Sequence, residues 1–223
     1  MVALLTKRFE KSPALARVLP FLVFLGLTFG QGKLGAGSAY WIYLAKTVIG
    51  AGLLWLSRPF IPEMRWRVSW EAVAAGLVVL AVWIGIDGFY PKMGKVDAEW
   101  NPFHFFGQSS GVAWLVVGAR LVGSTLVVPP LEEVFYRSFV YRYLINADFL
   151  SVPLGQFRPV PFVVTSLMFG FEHSQWLAGI FCGLVFQFLV WKKARLGDAM
   201  AAHAITNLLL GVWVLTRDAW SFW

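Results

Sequence analysis

Chemistry in this sequence starts from two adjacent carboxylates, Glu132 and Glu133, in the stretch Pro129-Pro130-Leu131-Glu132-Glu133-Val134-Phe135-Tyr136-Arg137. The surrounding sequence is built for lipid, and ionisable side chains at membrane depth face a protein interior or a water-filled cavity. On a helix, Glu133 and Arg137 are four residues apart and can pair on one face. Glu132 points about 100° away from that pair. A carboxylate held by an arginine beside a second carboxylate suits a general base and its neighbour. A structural ion pair that locks two helices together accounts for the same residues.

Three histidines are present, His104, His173 and His203. His104 lies in an aromatic- and proline-containing loop and reads as a solvated residue. His173 and His203 sit at the ends of apolar segments, where a single histidine is commonly a satisfied packing residue. His203 and Asn207 are four apart and share a helix face. Both can donate a hydrogen bond to a developing oxyanion, or simply bond between helices. The zinc spacing H-E-x-x-H is absent, and Glu172-His173 has the reverse order. No G-x-S-x-G occurs, and Cys182, in Ile180-Phe181-Cys182-Gly183-Leu184, has no base beside it in sequence.

The elements that must carry these residues are membrane helices. Hydrophobic residues make up 58% of the 223 positions and charged residues 14%, which excludes a soluble globular enzyme. Twelve Trp and twenty Phe fit a helical membrane protein with interfacial aromatics. A single cysteine excludes an intramolecular disulfide. The net charge of +7 comes from basic residues scattered among loops, which reads as a topology signal and not as nucleic-acid affinity.

Apolar spans are expected over about 18–30, 39–56, 70–89 and from 111 into the acidic stretch, then over 162–174, 175–191 and 197–215. Lys46 falls inside the second span, Arg120 inside the fourth. A polar loop covers Tyr90–Ser110, with Lys92, Lys95, Asp97, Glu99 and His104. Pro153, Gly155, Pro159 and Pro161 keep a helix from continuing through 148–161.

Basic residues decide where the acidic stretch belongs. If it finishes the fourth span and the N-terminus is cytoplasmic, thirteen basic residues face the cytoplasm: Lys7, Arg8, Lys11, Arg17, Arg58, Arg65, Arg67, Arg137, Arg142, Arg158, Lys192, Lys193 and Arg195. Four, Lys33, Lys92, Lys95 and Arg217, face the other side. A separate crossing by 131–147 would move Lys192, Lys193 and Arg195 to the wrong side, so the first arrangement is preferred. It gives seven crossings, with 136–146 lying along the interface as an extra helix. His173 then falls toward the far end of a short fifth span, so meeting the other candidates requires that span to be re-entrant, short or tilted.

Taken together, Glu132-Glu133-Val134-Phe135-Tyr136-Arg137, Phe169-Gly170-Phe171-Glu172-His173 and His203-Ala204-Ile205-Thr206-Asn207 resemble the three motifs of the CAAX-processing and bacteriocin-processing family of intramembrane glutamate proteases. The resemblance covers about 111–215, leaves 1–110 as spans without motifs, and is similar to a bacterial branch related to CAAX prenyl proteases. It implies one integral-membrane domain, an all-α polytopic bundle of about seven or eight membrane helices, in a bacterial inner membrane. It also implies an endopeptidase needing no cofactor and no metal, acting on a membrane-associated protein or peptide in the lipid bilayer, with no nucleic-acid partner. Glu132 would be the general base, with His173 helping to deprotonate water. His203 and Asn207 would form the oxyanion hole, and Glu133 and Arg137 would position the site from behind. Glu172 lies outside the family pattern and is expected to face headgroups or to orient His173. A zinc-dependent membrane protease, a non-catalytic membrane adaptor or immunity protein, and a transporter using Lys46, Arg120 and the acidic pair are the alternatives.

Overall fold

A computed structural model describes residues 2–93 and 100–223. Lys95, Asp97 and Glu99 of the polar loop lie outside the described residues. Nine helices and no strand occur among those described. They are α1 (Val2–Lys11), α2 (Pro13–Thr28), α3 (Ser38–Phe60, ending in a 3-10 turn), α4 (Trp70–Gly85) and α5 (Pro102–Phe106). The rest are α6 (Gly111–Ile145), α7 (Pro159–Phe171), α8 (Trp176–Lys193) and α9 (Gly197–Arg217). Four of these, α3, α6, α8 and α9, are long and apolar enough to cross a membrane. The protein is an all-helical integral membrane protein.

Helix starts follow local chemistry. Ser12, Ser69 and Ser110 each accept a hydrogen bond from the backbone N–H three residues on, capping α2, α4 and α6. Pro159 occupies the first turn of α7, where its missing N–H costs nothing.

Helix α6 is 35 residues long and departs twice from α-helical hydrogen bonding, at Gly123–Val127 and Val134–Val140, both π-helical. Between them lies the α-helical turn Val128–Glu133, which holds Pro129, Pro130 and the acid pair. A proline inside a helix clashes with the carbonyl four residues back, and the widened turn just before the two prolines relieves that clash. The interfacial helix expected over 136–146 is therefore not separate: those residues continue α6 until Asn146, where the backbone becomes extended.

The chain divides into two compact units. The first takes the described residues of Met1–Ile61, Val96–Leu131 and Asn207–Trp223. Its core includes Phe103, Ala113, Val117, Val214 and Trp220, and beside Val116 the aromatics Tyr40, Tyr43 and Trp100. Gly123 allows α6 to close on α3, because a Cβ there would stand 2.7 Å from Thr47 Oγ1. The two cations inside the spans are packed in this unit. Lys46 donates to Thr28 Oγ1 at 2.8 Å. The Arg120 guanidinium lies over the rings of Trp100 at 4.2 Å and Tyr43 at 5.0 Å. Both therefore sit against packed side chains of this unit, the pair a transporter would need along an open path.

The second unit takes the described residues of Pro62–Lys95 and Glu132–Thr206. Its centre is the α7–α8 hairpin, joined through small residues as membrane helix interfaces commonly are. A Cβ on Gly170 would stand 2.3 Å from Ile180 Cγ1, and one on Gly179 would stand 3.0 Å from Gly170 Cα. Helix α9 packs on α4 in the same manner, with the Thr206 hydroxyl donating to Gly76 O at 3.0 Å. Arg142, near the end of α6, ties down the following loop by donating from Nε to Val152 O and from Nη2 to Leu150 O, at 2.7 and 3.1 Å.

Candidate active site

His203 is the point at which the acid pair converges. It sits on α9, six residues in from Gly197, and is 4% exposed. Its Nδ1 lies 3.1 Å from Glu133 Oε1 and its Nε2 lies 3.9 Å from Glu132 Oε2. The imidazole is thus bracketed by both carboxylates. An ionised carboxylate only accepts, so Nδ1 carries the hydrogen in that contact. Phe186 stacks on the ring at a centroid separation of 5.1 Å, and Phe169 meets it edge-on at 5.9 Å.

Behind this contact, Glu133 and Arg137 are fully buried. Glu133 Oε2 lies 3.2 Å from Arg137 Nε, as an ion pair and not as an aligned hydrogen bond. Arg137 donates from Nη2 to Gly183 O at 3.3 Å, and its guanidinium covers the Phe169 ring at 4.3 Å. A buried charge needs a partner, and these contacts fix the carboxylate that holds His203. The resemblance implies that Glu133 positions the site from behind; in the structure its carboxylate is the nearer of the two to His203.

His173 arrives by a different route. Helix α7 is 13 residues long, about 20 Å, against an apolar core of about 30 Å. The turn after it carries His173, and a helix this short is one of the arrangements under which His173 can meet the other candidates. His173 is half-buried, edge-on to Trp83 at 5.6 Å and beside Phe169 at 5.0 Å. Its Nδ1 donates to Phe169 O at 2.9 Å. A carbonyl oxygen only accepts, so in the neutral ring Nε2 keeps its lone pair. Phe169 links the set, because its ring touches both histidines and Arg137.

Tyr136 was not singled out by sequence. Its hydroxyl donates to Glu172 Oε2 at 2.7 Å, and its ring packs edge-on against Phe169 at 5.4 Å. The available signal was its position four residues after Glu132. Glu172, expected to face headgroups or to orient His173, is engaged by this tyrosine.

Asn207 belongs to the first unit, one helical turn beyond His203 along α9. There its Nδ2 donates to Ser124 O at 2.8 Å, in the first π-helical turn of α6. His104 is exposed and lies in the first unit. Cys182 is buried. Among the described residues no group of three or more His, Cys, Asp and Glu side chains is placed to hold a metal ion.

Comparison with known proteins adds one finding. Residues 112–209 match the family model described as type II CAAX prenyl endopeptidase Rce1-like, a family of proteases. The match spans the acid pair, His173, His203 and Asn207. No curated protein and no solved structure matches the chain.

Proposed function

With residues 112–209 carrying an Rce1-like domain, we propose that this chain is an intramembrane endopeptidase that hydrolyses a peptide bond of a membrane-associated protein or peptide, with water as the nucleophile. The observation that carries the reading is the imidazole of His203 bracketed by Glu133 at 3.1 Å and Glu132 at 3.9 Å. A packing histidine needs one partner; this one has two carboxylates and an arginine behind them.

Glu132 takes the proton of the attacking water and returns it to the leaving amine, the two halves of general base and general acid catalysis. The lone pair on His173 Nε2 accepts the water's other hydrogen and aims its oxygen at the scissile carbonyl. His203 donates from Nε2 to the oxygen that gains charge. With Nδ1 already committed to Glu133, that donation requires an imidazolium, and Glu132 and Glu133 supply the counter-charge. Asn207, one turn on, is the second donor: its amide carries two hydrogens and gives only one to Ser124 O. Donors fixed before the reaction stabilise the tetrahedral intermediate without reorganising. The excess of basic residues in one set of loops orients the N-terminus toward the cytoplasm.

The test compares the peptide termini of the membrane proteome in host cells carrying wild type or Glu132→Gln, which keeps the shape and removes the base. Termini that appear only with wild type establish proteolysis and identify the substrate. Identical termini at equal protein abundance would show a non-catalytic membrane protein. Loss of the wild-type termini on chelation, with restoration by zinc, would replace the glutamate mechanism by a metal one.

A further inference from the structure

In the second unit, one end of the helices carries a rim of cations and aromatics that the chemistry above does not use. Helix α8 ends at Lys192 and Lys193, a three-residue turn follows with Ala194 at φ 51°, and α9 begins at Gly197. Both helices are candidate membrane spans, so the turn between them stands at a membrane surface. The segment before α4 is pressed onto this turn. A Cβ on Gly197 would stand 2.1 Å from Arg65 O and 2.6 Å from Arg67 N, so only glycine lets the backbones meet. Arg65-Trp66-Arg67-Val68 is thereby fixed at the start of α9, with all four residues exposed.

The charges on this rim do not cancel. Lys193 is paired with Glu71 and Arg195 with Asp198, each at 2.5 Å. Glu63 meets Arg142 at 3.5 Å and accepts from the Ser138 hydroxyl. The acids near the rim are thus engaged, while Arg65, Arg67 and Lys192 form no ion pair with a described residue. Lys192 overlies the rings of Trp191 at 4.3 Å and Phe188 at 5.7 Å. Large apolar side chains are exposed beside these cations: Trp66 by 44%, Val68 by 71% and Trp70 by 76%. In water that combination would be a liability. At a bilayer surface, tryptophan sits at headgroup level and arginine and lysine reach phosphate.

We infer that Arg65, Arg67 and Lys192, framed by Trp66 and Trp70, bind the headgroup phosphates of anionic phospholipids. The occupant is lipid because cation and apolar ring alternate within one short, fixed segment at the mouth of two membrane spans. A soluble anion would use the cations and leave the tryptophans in water. Each basic residue near an anionic surface strengthens binding by about five-fold, so removing two weakens it about 30-fold.

The experiment is native mass spectrometry of the full chain, delipidated in detergent and titrated with phosphatidylglycerol or phosphatidylcholine. Wild type should retain phosphatidylglycerol preferentially. Arg65→Gln/Arg67→Gln should weaken that binding about 30-fold while leaving phosphatidylcholine binding and the unfolding temperature unchanged. Arg65→Lys/Arg67→Lys should keep most of the preference, because the charge remains. Equal retention of the two lipids by wild type, or an undiminished preference in the glutamine variant, overturns the inference. Neither result bears on proteolysis.

Discussion

The Tyr136 hydroxyl donates to Glu172 Oε2 at 2.7 Å, joining α6 to the turn that carries His173 across 36 residues of sequence. Glu172 is the residue just after α7 and His173 is the next, so this bond bears on where the imidazole stands. Tyr136→Phe keeps the ring against Phe169 and deletes only the donor. A hydrogen bond to a charged group contributes about 1.5–3 kcal/mol, and the midpoint of thermal unfolding in detergent should fall accordingly. Glu172→Gln, which still accepts from Tyr136, should lose less than Glu172→Leu. A Tyr136→Phe protein as stable as wild type would mean that the bond does not form.

The buried Glu133–Arg137 pair predicts an asymmetry between single and double variants. Removing one member leaves an uncompensated buried charge, at a cost of about 3–5 kcal/mol. Glu133→Ala should yield little monodisperse protein on size exclusion. Glu133→Leu/Arg137→Met, which removes both charges and keeps volume, should recover folding but not proteolysis. Recovery of proteolysis in the double variant would remove Glu133 from any direct role.

Asn207→Ala deletes the proposed second oxyanion donor. On the substrate identified by its new termini, kcat should fall by roughly 10²–10³ with KM little changed, as for loss of a donor that acts in the transition state. A rise in KM at constant kcat would assign Asn207 to substrate binding instead.

Gly170 tests the close approach of α7 and α8. Gly170→Ala places a methyl 2.6 Å from Ile180 N, a backbone atom that cannot step aside. Overpacking of this kind costs about 1–3 kcal/mol, and unfolding temperature should drop. Gly52→Ala, where nothing lies within 4 Å of the new Cβ, is the matched control.

The candidate groups were legible because carboxylates and histidines are rare and expensive in apolar sequence. The pairing of Glu133 with Arg137 followed from helical spacing alone. The contact of Glu133 with His203 did not, because it joins two helices 70 residues apart and spacing reports only neighbours on one element. The continuity of α6 was hidden for another reason. Charge counting carried the fourth span through Pro129-Pro130 but set 136–146 apart as an interfacial helix, and a 3.6-residue period cannot register turns that bond five residues back. Tyr136 escaped notice because its partner, Glu172, lies 36 residues on, in the turn after α7.

Helix α7 shows Val160, Val163, Met168 and Phe171 on its outer surface, each at least 43% exposed. Its length is about 20 Å, some 10 Å less than a typical hydrocarbon layer. A bilayer thins around a short apolar face, and we expect the leaflet to thin beside the turn that bears His173. Hydrolysis should accordingly respond to chain length, running faster in vesicles of short-chain lipid than of long-chain lipid at constant headgroup.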